Sequence, residues 1–359
     1  MSESAGAALI RVLIVEDSPV MRELLAYLLN ADPKLQVIGV AVDGEQAVVM
    51  AQRLHPDVIL MDIHLPKIDG FMATRKIMET SPTRIIMVTS TSIPNEVSTS
   101  FQALEAGALT ILNKPPAPGH PDSQPMADEL LQTIKLMAEV PVVKRWARPA
   151  ATMPPLSPAR KCRIETDADI RLIAIGASTG GPLVLQEILS LLPPASIQVP
   201  ILIVQHIAVG FTAGFAEWLG RTTGWQVRVP VHGEYTQPGI AYLAPDGLHM
   251  KIRADFSIAL VDDPLEHSLR PAVSYLFRSV ASAIGRNAVG VLLTGMGRDG
   301  AKELKLMQEA GAVTIAQDKE SSIVHGMPGE AVKLDAATYV LAPNGIAATL
   351  NWLVKKRNP

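Results

Sequence analysis

Three polar side chains of the C-terminal half follow apolar runs, and together their types suit acyl transfer. Ser178 stands in Gly-Ala-Ser-Thr-Gly-Gly, His206 follows the apolar residues 200–204 and a glutamine, and Asp299 lies in Gly-Met-Gly-Arg-Asp-Gly. An imidazole within reach of a hydroxyl can take its proton, and a carboxylate on the other ring nitrogen fixes the tautomer. The three residues are therefore candidates for a nucleophile, a general base and an orienting carboxylate.

The sequence around Ser178 predicts a strand, a glycine turn and a helix. The apolar residues 172–177 form the strand, and a helical pattern runs to about residue 192. The N–H groups at a helix N-terminus favour negative charge, either a bound phosphate or the oxyanion of an ester under attack. A structural turn or a nucleotide cradle therefore stays open for this motif. The glycines that would let N–H groups approach an anion are Gly180, Gly181, Gly295 and Gly297.

Alternatives also exist for the base and for the carboxylate. His249, in a predicted strand, and His267, in a predicted loop, are rival histidines. Asp299 could simply cap the helix that follows it. The motif at Ser178 is not the Gly-x-Ser-x-Gly elbow, and the order Ser–His–Asp differs from that of the α/β-hydrolases. The residues alone thus support an acyl-transfer hydrolase without proving that the three side chains meet.

A second group of polar residues follows four apolar runs of the N-terminal half. Parallel strands gather their carboxyl ends at one edge of a sheet, where the chemistry of such sheets concentrates. Three carboxylates there would repel one another unless a cation lay among them, and an all-oxygen set suits Mg²⁺. A lysine and a threonine could then contact an anion added to one carboxylate. The residues concerned are Glu16, Asp17, Asp62, Thr89 and Lys114.

The order of apolar runs and helical patterns predicts two α/β units. In the first, five runs alternate with helices, which is typical of a doubly wound, flavodoxin-like parallel sheet. These runs are residues 9–15, 37–40, 57–61, 84–88 and 108–112. The second unit is predicted to hold a mostly parallel sheet with an antiparallel hairpin insertion. The predicted strands of the insertion are residues 227–231, 241–243, 248–252 and 257–261.

Composition excludes several classes of function. The 359 residues carry a net charge of −3, and the longest basic cluster is the short run 355–357, which argues against a nucleic-acid partner. Cys162 is the only cysteine, so no disulfide framework is expected. The N-terminus lacks a signal-peptide pattern, and no apolar run approaches the ~18 residues that span a bilayer. A cytoplasmic protein without direct membrane insertion is expected.

Residues 8–138 resemble the receiver domain of bacterial response regulators. The resemblance implies that Asp62 accepts a phosphoryl group from a sensor histidine kinase and that Mg²⁺ is bound beside it. It also implies that Thr89 and Lys114 contact the phosphoryl group as switch residues, and that the peptide bond before Pro115 is cis. The residues that carry the resemblance are Glu16, Asp17, Asp62, Thr89, Lys114 and Pro115.

Residues 169–355 resemble the catalytic domain of the chemotaxis protein-glutamate methylesterases, the CheB family. The resemblance rests on the motifs around Ser178, His206 and Asp299, and on Leu-Ala-Pro-Asp-Gly-Leu-His-Met and Leu-Phe-Arg-Ser-Val-Ala. It implies that these three residues are nucleophile, base and orienting carboxylate, with Thr179 and the backbone near Met296 lining the site. The implied substrates are glutamate methyl esters of chemoreceptors, and many members also deamidate receptor glutamines. No cofactor is expected in the esterase site.

The predicted order is a receiver, a Pro-rich linker over residues 139–168, and the esterase. We expect the unphosphorylated receiver to cover the esterase cleft, and phosphorylation to shift that packing. Two differences from common family motifs stand out: residues 269–274 read Leu-Arg-Pro-Ala-Val-Ser in place of His-Arg-Pro-Ser-Val-Asp, and His325 replaces an aromatic residue. Both are expected to lie away from the triad. The rival functions are a receiver-controlled phosphate- or nucleotide-binding module without catalysis and a transcription regulator with a receiver.

Overall fold

The N-terminal unit is a five-stranded parallel sheet with the strand order β2-β1-β3-β4-β5. The computed structural model describes residues 9–89, 101, 103–140 and 168–355. Residues 12–15 and all of β3 are buried, as expected for strands with helices on both faces. The flavodoxin-like prediction is confirmed. The strands are β1 Ile10–Val15, β2 Leu35–Ala41, β3 Val58–Asp62, β4 Arg84–Thr89 and β5 Thr110–Asn113.

Side-chain caps fix where three helices of this unit begin. Ser18, Asp43 and Asp69 each accept a hydrogen bond from the backbone N–H three residues ahead, which satisfies one otherwise unpaired donor of the first turn. Residues 103–106 are also helical, and residues 96–100 of the helix predicted there lie outside the described part of the chain. The full helices are α1 Pro19–Ala31, α2 Gly44–Leu54, α3 Gly70–Thr80 and α4 Ser123–Met137.

The C-terminal unit is built on a seven-stranded sheet with the order β14-β13-β12-β6-β7-β9-β8. Every pair of neighbouring strands in this sheet is parallel. The central strands β12, β6 and β7 are buried along their whole length. The strands are β6 Leu172–Ala177, β7 Ile201–Gln205, β8 Gln226–Arg228, β9 Ile240–Leu243, β12 Ala288–Leu292, β13 Val313–Gln317 and β14 Tyr339–Leu341.

The predicted antiparallel insertion is only half correct. Strands β10 His249–Ile252 and β11 Ile258–Val261 form the expected hairpin. In contrast, β9 joins the main sheet in parallel beside β7, and β8 pairs in parallel with β9 as the edge strand. Alternating short runs do not reveal whether two strands pair in the antiparallel or the parallel direction. The helices of this unit are α5 Gly181–Ser190, α6 Thr212–Thr223, α7 Val273–Ala283, α8 Ala301–Glu309, α9 Met327–Lys333 and α10 Pro343–Lys355.

The two units meet through an aromatic cluster. Phe101 of the N-terminal unit packs with ring centroids 5.2 Å from Phe215 and 5.4 Å from Trp218. The Trp218 indole donates a 2.8 Å hydrogen bond to Glu105 of the first unit. Since Phe101, Phe215 and Trp218 are fully buried, this contact excludes water from the junction.

Three further features bear on the predictions. The peptide bond before Pro115 is not cis, so that expectation is wrong; the cis bond of the described residues precedes Pro271. Residues 141–167 of the predicted linker lie outside the described part of the chain. Within the described ranges, no helix combines the length and the hydropathy needed to cross a membrane.

Candidate active site

Ser178 is held in a tight turn between β6 and α5. Its backbone N–H donates to the Thr294 carbonyl at 3.0 Å, and its own carbonyl accepts from Gly181 at 2.8 Å. Gly180 has φ 79° in this turn, a left-handed conformation that disfavours side chains. A Cβ on Gly295 would lie 2.6 Å from the Ser178 Cβ, so glycine is needed there for close approach. The turn thus places the hydroxyl at the carboxyl edge of the sheet.

Strand register places His206 beside Ser178. Ala177 of β6 pairs with Gln205 of β7, so the residues that follow them are neighbours at the ends of adjacent parallel strands. The His206 N–H donates to the Ala177 carbonyl at 2.9 Å, which continues the ladder one step beyond β7. The sheet itself therefore brings the predicted hydroxyl and imidazole together.

The side chain of Gln205 holds the backbone of both Ser178 and His206 in place. Its side-chain amide is buried and donates to the Ser178 carbonyl at 2.8 Å and to the His206 carbonyl at 2.7 Å. Nothing in the sequence assigned Gln205 a role beyond its position before His206. A polar residue ending an otherwise apolar strand was the available signal.

Asp299 reaches His206 from the loop after β12. Its Oδ2 lies 2.9 Å from Nε2 of His206, and the side chain is almost completely buried. It also accepts from the N–H groups of Val273 at 2.6 Å and Ser274 at 3.0 Å, at the start of α7. Burial alone would raise the pKa of Asp299, but the hydrogen bonds from His206 and Ser274 and the attraction of His206 outweigh it and lower the pKa. The carboxylate therefore stays ionised.

Ser178, His206 and Asp299 all line one cavity of about 800 Å³, whose walls come from both units of the chain. In the described part of the chain, the Ser178 hydroxyl makes no hydrogen bond. A catalytic hydroxyl can rotate, and such bonds often form only once substrate is bound. Of the three predicted residues, the structure joins His206 to Asp299 directly and places Ser178 on the adjacent strand end.

Thr179 and Met296 lie on two sides of the turn that holds Ser178. Thr179 follows Ser178 directly, and Met296 follows Gly295, which contacts the Ser178 Cβ. Among the described residues, neither backbone N–H has a hydrogen-bond partner. Helix α5 begins two residues after Thr179, so its dipole adds positive potential at this place. These N–H groups are thus available to a developing oxyanion.

The rival histidine His249 makes its contacts with residues outside the candidate triad. Its Nε2 lies 3.1 Å from the Pro264 carbonyl, its Nδ1 accepts from the Ala272 N–H, and its ring stacks on Tyr275 at 3.7 Å. Burial lowers the pKa of His249, which fits a neutral imidazole between one acceptor and one donor. His267 lines the cavity, but the imidazole bonded to Asp299 is that of His206.

The predicted acidic group of the N-terminal unit also assembles. Val15 of β1 pairs with Met61 of β3, so Glu16 and Asp62 follow side by side. Oxygen atoms of Glu16, Asp17 and Asp62 lie within 4.8 Å of one another. Lys114 places its ammonium 2.7 Å from Glu16 and 2.8 Å from Asp62. The sheet edge thus carries three carboxylates, two of which contact the ammonium of Lys114.

Burial and hydrogen bonds together shift the pKa values of Glu16 and Lys114 in this cluster. It raises the pKa of Glu16 above its ordinary value, although the hydrogen bond from Lys114 acts the other way. Burial alone would lower the pKa of Lys114, but the hydrogen bonds that its ammonium donates to Asp62 and Glu16 outweigh it and raise the pKa. The Lys114 N–H donates to the carbonyl of Thr89, a buried residue at the end of β4. Because the acids outnumber the lysine and offer only oxygen atoms, the donor set fits Mg²⁺.

Comparison with known proteins assigns a family description to each of the two units. The sequence pattern described as CheB methylesterase matches residues 173–350, and that of the response regulator receiver domain matches residues 12–120. A protein-glutamate methylesterase/protein-glutamine glutaminase of Nitrosospira multiformis is 50% identical over 97% of this chain and 98% of its own length. One of Syntrophus aciditrophicus is 52% identical over 95% and 97%, respectively. The chain belongs to the CheB methylesterase family.

A solved structure supports the fold of the C-terminal unit. The Thermotoga maritima CheB methylesterase catalytic domain is 34% identical, with a TM-score of 0.50, and covers 52% of this chain and 99% of its own. The match spans nearly the whole of that domain, so the C-terminal unit and that domain share their overall fold.

The two differences from common CheB motifs lie next to the candidate triad, so the expectation that they are remote is wrong. Ser274 donates both its N–H and its hydroxyl to Asp299. His325 forms a parallel bridge with Gly295, the residue packed on Ser178. Both contacts join segments far apart in sequence, and linear spacing could not reveal them.

Proposed function

We propose that this chain is a phosphorylation-regulated hydrolase that removes methyl groups from glutamate methyl esters of chemoreceptors. The observation that carries this proposal is the 2.9 Å contact between His206 and Asp299, with Ser178 on the adjacent strand end. The family and the names of its relatives support the same reaction and add deamidation of receptor glutamines.

In the first half-reaction, the Ser178 hydroxyl attacks the γ-carbonyl carbon of the ester. His206 takes the hydroxyl proton at the nitrogen that faces away from Asp299, and the buried carboxylate stabilises the imidazolium. Collapse of the tetrahedral intermediate breaks the bond to the methoxy oxygen. His206 returns the proton to that oxygen, so methanol leaves and Ser178 carries the acyl group.

In the second half-reaction, water attacks the acyl-enzyme with His206 again as the base. The products are a receptor glutamate and the free Ser178 hydroxyl. A glutamine substrate follows the same path, with ammonia as the leaving group. The N–H groups of Thr179 and Met296 hold the oxyanion of each tetrahedral intermediate, and one such donor is typically worth about 10²–10³ in rate.

Control is assigned to the N-terminal unit, with Asp62 as the residue that accepts a phosphoryl group from a sensor histidine kinase. Glu16, Asp17 and Asp62 would hold Mg²⁺, which supplies positive charge to offset that of the phosphoryl oxygens. Lys114 lies close enough to Asp62 to bind the added phosphoryl group. Thr89 ends the neighbouring strand β4 and is the residue that reports the modification.

The proposed organisation is a receiver over residues 8–138, a linker over 139–168 and an esterase over 169–355. In the unphosphorylated chain, the receiver restricts access to the cleft. Support comes from the contact of Phe101 with Trp218 and from the cavity at Ser178, which residues of both units line. Phosphorylation of Asp62 then opens the cleft by shifting this packing.

The test is methanol release from methylated receptor membranes by the full chain and by Ser178→Ala. Loss of the nucleophile leaves binding and the oxyanion donors, so the rate falls by about 10³-fold or more. Ser190→Ala, at the exposed end of α5, is the matched control and keeps full activity. Full activity of Ser178→Ala would exclude Ser178 as the nucleophile, and no methanol release from either protein would instead favour a non-catalytic phosphate- or nucleotide-binding module.

A further inference from the structure

Asp299 receives most of its hydrogen bonds from the start of α7. Oδ2 accepts from His206 Nε2 at 2.9 Å and from the Val273 N–H at 2.6 Å. Oδ1 accepts twice from one residue, from the Ser274 N–H at 3.0 Å and from its hydroxyl at 2.5 Å. The orientation of the carboxylate therefore depends on residue 274 as much as on His206.

The Ser274 hydroxyl lies between two carboxylates but has only one proton. Ser274 is fully buried, and its Oγ lies 2.5 Å from Asp299 and 2.9 Å from Oε2 of Glu303. The Gly300 N–H donates to the same Oγ at 3.1 Å and so occupies one of its lone pairs. Because a hydroxyl donates a single hydrogen bond, the two carboxylates compete for it.

We propose that Ser274 is a positioning residue that orients Asp299 toward His206, and that Glu303 is the competing acceptor of its proton. This inference rests on the proposed function, because it assumes that Asp299 serves the triad. The shorter contact assigns the proton to Asp299. The second oxygen of Glu303 faces Arg278 at 3.4 Å, which offsets part of its negative charge.

The physical role is to stop rotation of the Asp299 carboxylate. With both oxygens held, Oδ2 stays 2.9 Å from His206 and keeps the ring in one tautomer. Without the hydroxyl, Oδ1 retains only the Ser274 N–H, and the carboxylate can turn away from the imidazole. Ser274 touches neither substrate nor reacting atoms, so its effect on the reaction passes through Asp299.

The first test compares Ser274→Ala with Ser279→Ala in the full chain. Ser279 lies on the same helix and also both donates and accepts through its hydroxyl, but it contacts Ile252 and Leu276 and not the triad. Losing a hydrogen bond to a charged group predicts that kcat for methanol release falls about 10- to 100-fold in Ser274→Ala, with KM nearly unchanged. Ser279→Ala keeps its kcat. Equal losses in the two variants would assign Ser274 a merely structural role.

The second test asks whether Ser274 acts through Asp299. In an Asp299→Asn background, Ser274→Ala is expected to add less than about two-fold to the loss, because the oriented carboxylate is already gone. A further full loss in the double variant would overturn the inference. Should Asp299→Asn itself keep full activity, the proposed function fails instead, so the two failures are distinguishable.

Glu303→Gln provides a variant that leaves Ser274 in place. The glutamine amide nitrogen can donate to the Ser274 hydroxyl oxygen while its carbonyl oxygen faces Arg278, so both contacts are kept. With the competition removed, the serine proton belongs to Asp299 alone, and kcat is expected to stay the same or rise by up to about three-fold. A ten-fold fall in kcat, with an unchanged unfolding temperature, would show that Glu303 supports the triad directly and would overturn the assignment.

Discussion

The chain places two polar sites at equivalent edges of two parallel sheets, yet the sites handle negative charge in opposite ways. In the N-terminal unit, Glu16 and Asp62 share one cation, Lys114, and a third acid lies within 4.8 Å. In the C-terminal unit, the oxygens of Asp299 accept four hydrogen bonds. The first arrangement leaves excess negative charge for a divalent cation, whereas the second keeps a carboxylate ionised without one.

This difference explains why the two sites depend on different parts of the fold. The N-terminal cluster needs only strand ends in register, because neighbouring strands place Glu16 and Asp62 together. The C-terminal site also needs the N-terminus of α7, whose first N–H groups bind Asp299. A helix from elsewhere in the sequence therefore supplies what Lys114 supplies in the first unit.

The largest expected effect comes from Asp299→Asn. An amide at this position can present its NH₂ group to His206 and favour the wrong tautomer, so methanol release should fall by about 10³–10⁴-fold. Asp335→Asn, at an exposed residue after α9, is the matched control and should keep the parent rate. If methanol release by Asp299→Asn fell by less than ten-fold, the ionised carboxylate of Asp299 would not be required for catalysis.

The next-largest effect distinguishes regulation by phosphorylation from the hydrolysis reaction itself. Asp62→Asn removes the proposed phosphoacceptor, so the ratio of methanol release with and without a small-molecule phosphodonor should fall to about one. Glu79→Gln, exposed on α3, should keep the ratio of the parent chain. Continued stimulation of Asp62→Asn would place the switch at another residue.

A smaller effect is expected from uncoupling the two units. Phe101→Ala removes a buried ring that packs against Phe215 and Trp218, and such a truncation typically costs about 3–5 kcal/mol of packing. If the receiver covers the cleft, methanol release without a phosphodonor should rise several-fold. Tyr27→Ala, at an exposed residue of α1, is the control. A fall in the basal rate would show that the contact supports the esterase instead of restricting it.

The smallest effect is a difference in pH dependence between Glu16 and Asp299. The pKa of Glu16 is raised above its ordinary 4.5, so the native state binds more protons and its contribution to stability falls as pH rises through that window. The pKa of Asp299 is lowered below 3.8, so its contribution is present above that value and is lost as pH falls.

Free energies of unfolding of the parent chain, Glu16→Gln and Asp299→Asn, measured without Mg²⁺ from pH 3 to 7, test these signs. The parent chain should lose stability relative to Glu16→Gln as pH rises above 4.5. It should lose stability relative to Asp299→Asn as pH falls below 3.8. Two slopes of the same sign would contradict the electrostatic contrast between the sites.

The N-terminal site was largely predictable because each of its groups lies within two residues of the end of an apolar run. Strand order and register then bring Glu16 to Asp62 without any further contact. In the C-terminal unit, the sequence predicted only that Ser178 and His206 each follow a strand, and the pairing of Ala177 with Gln205 in the structure makes them neighbours. Where all residues of a site lie at the ends of parallel strands, the apolar runs in the sequence predict which residues these are.

Contacts made by distant helices and edge strands were not predictable. Ser274 reaches Asp299 from the start of α7, and nothing in its local sequence marks that contact. The parallel pairing of β8 with β9 was likewise hidden, because short alternating runs fit either direction of pairing. These features depend on how whole elements pack, and spacing along the chain carries little of that information.

The measurement that tests the central claim most directly is the site of covalent labelling by a fluorophosphonate, which reacts with serines activated by a neighbouring base. Peptide mass mapping of the labelled full chain should place the adduct on Ser178, and His206→Ala should abolish it together with methanol release. An active chain that is labelled at another residue, or equally labelled in His206→Ala, would contradict the proposed triad.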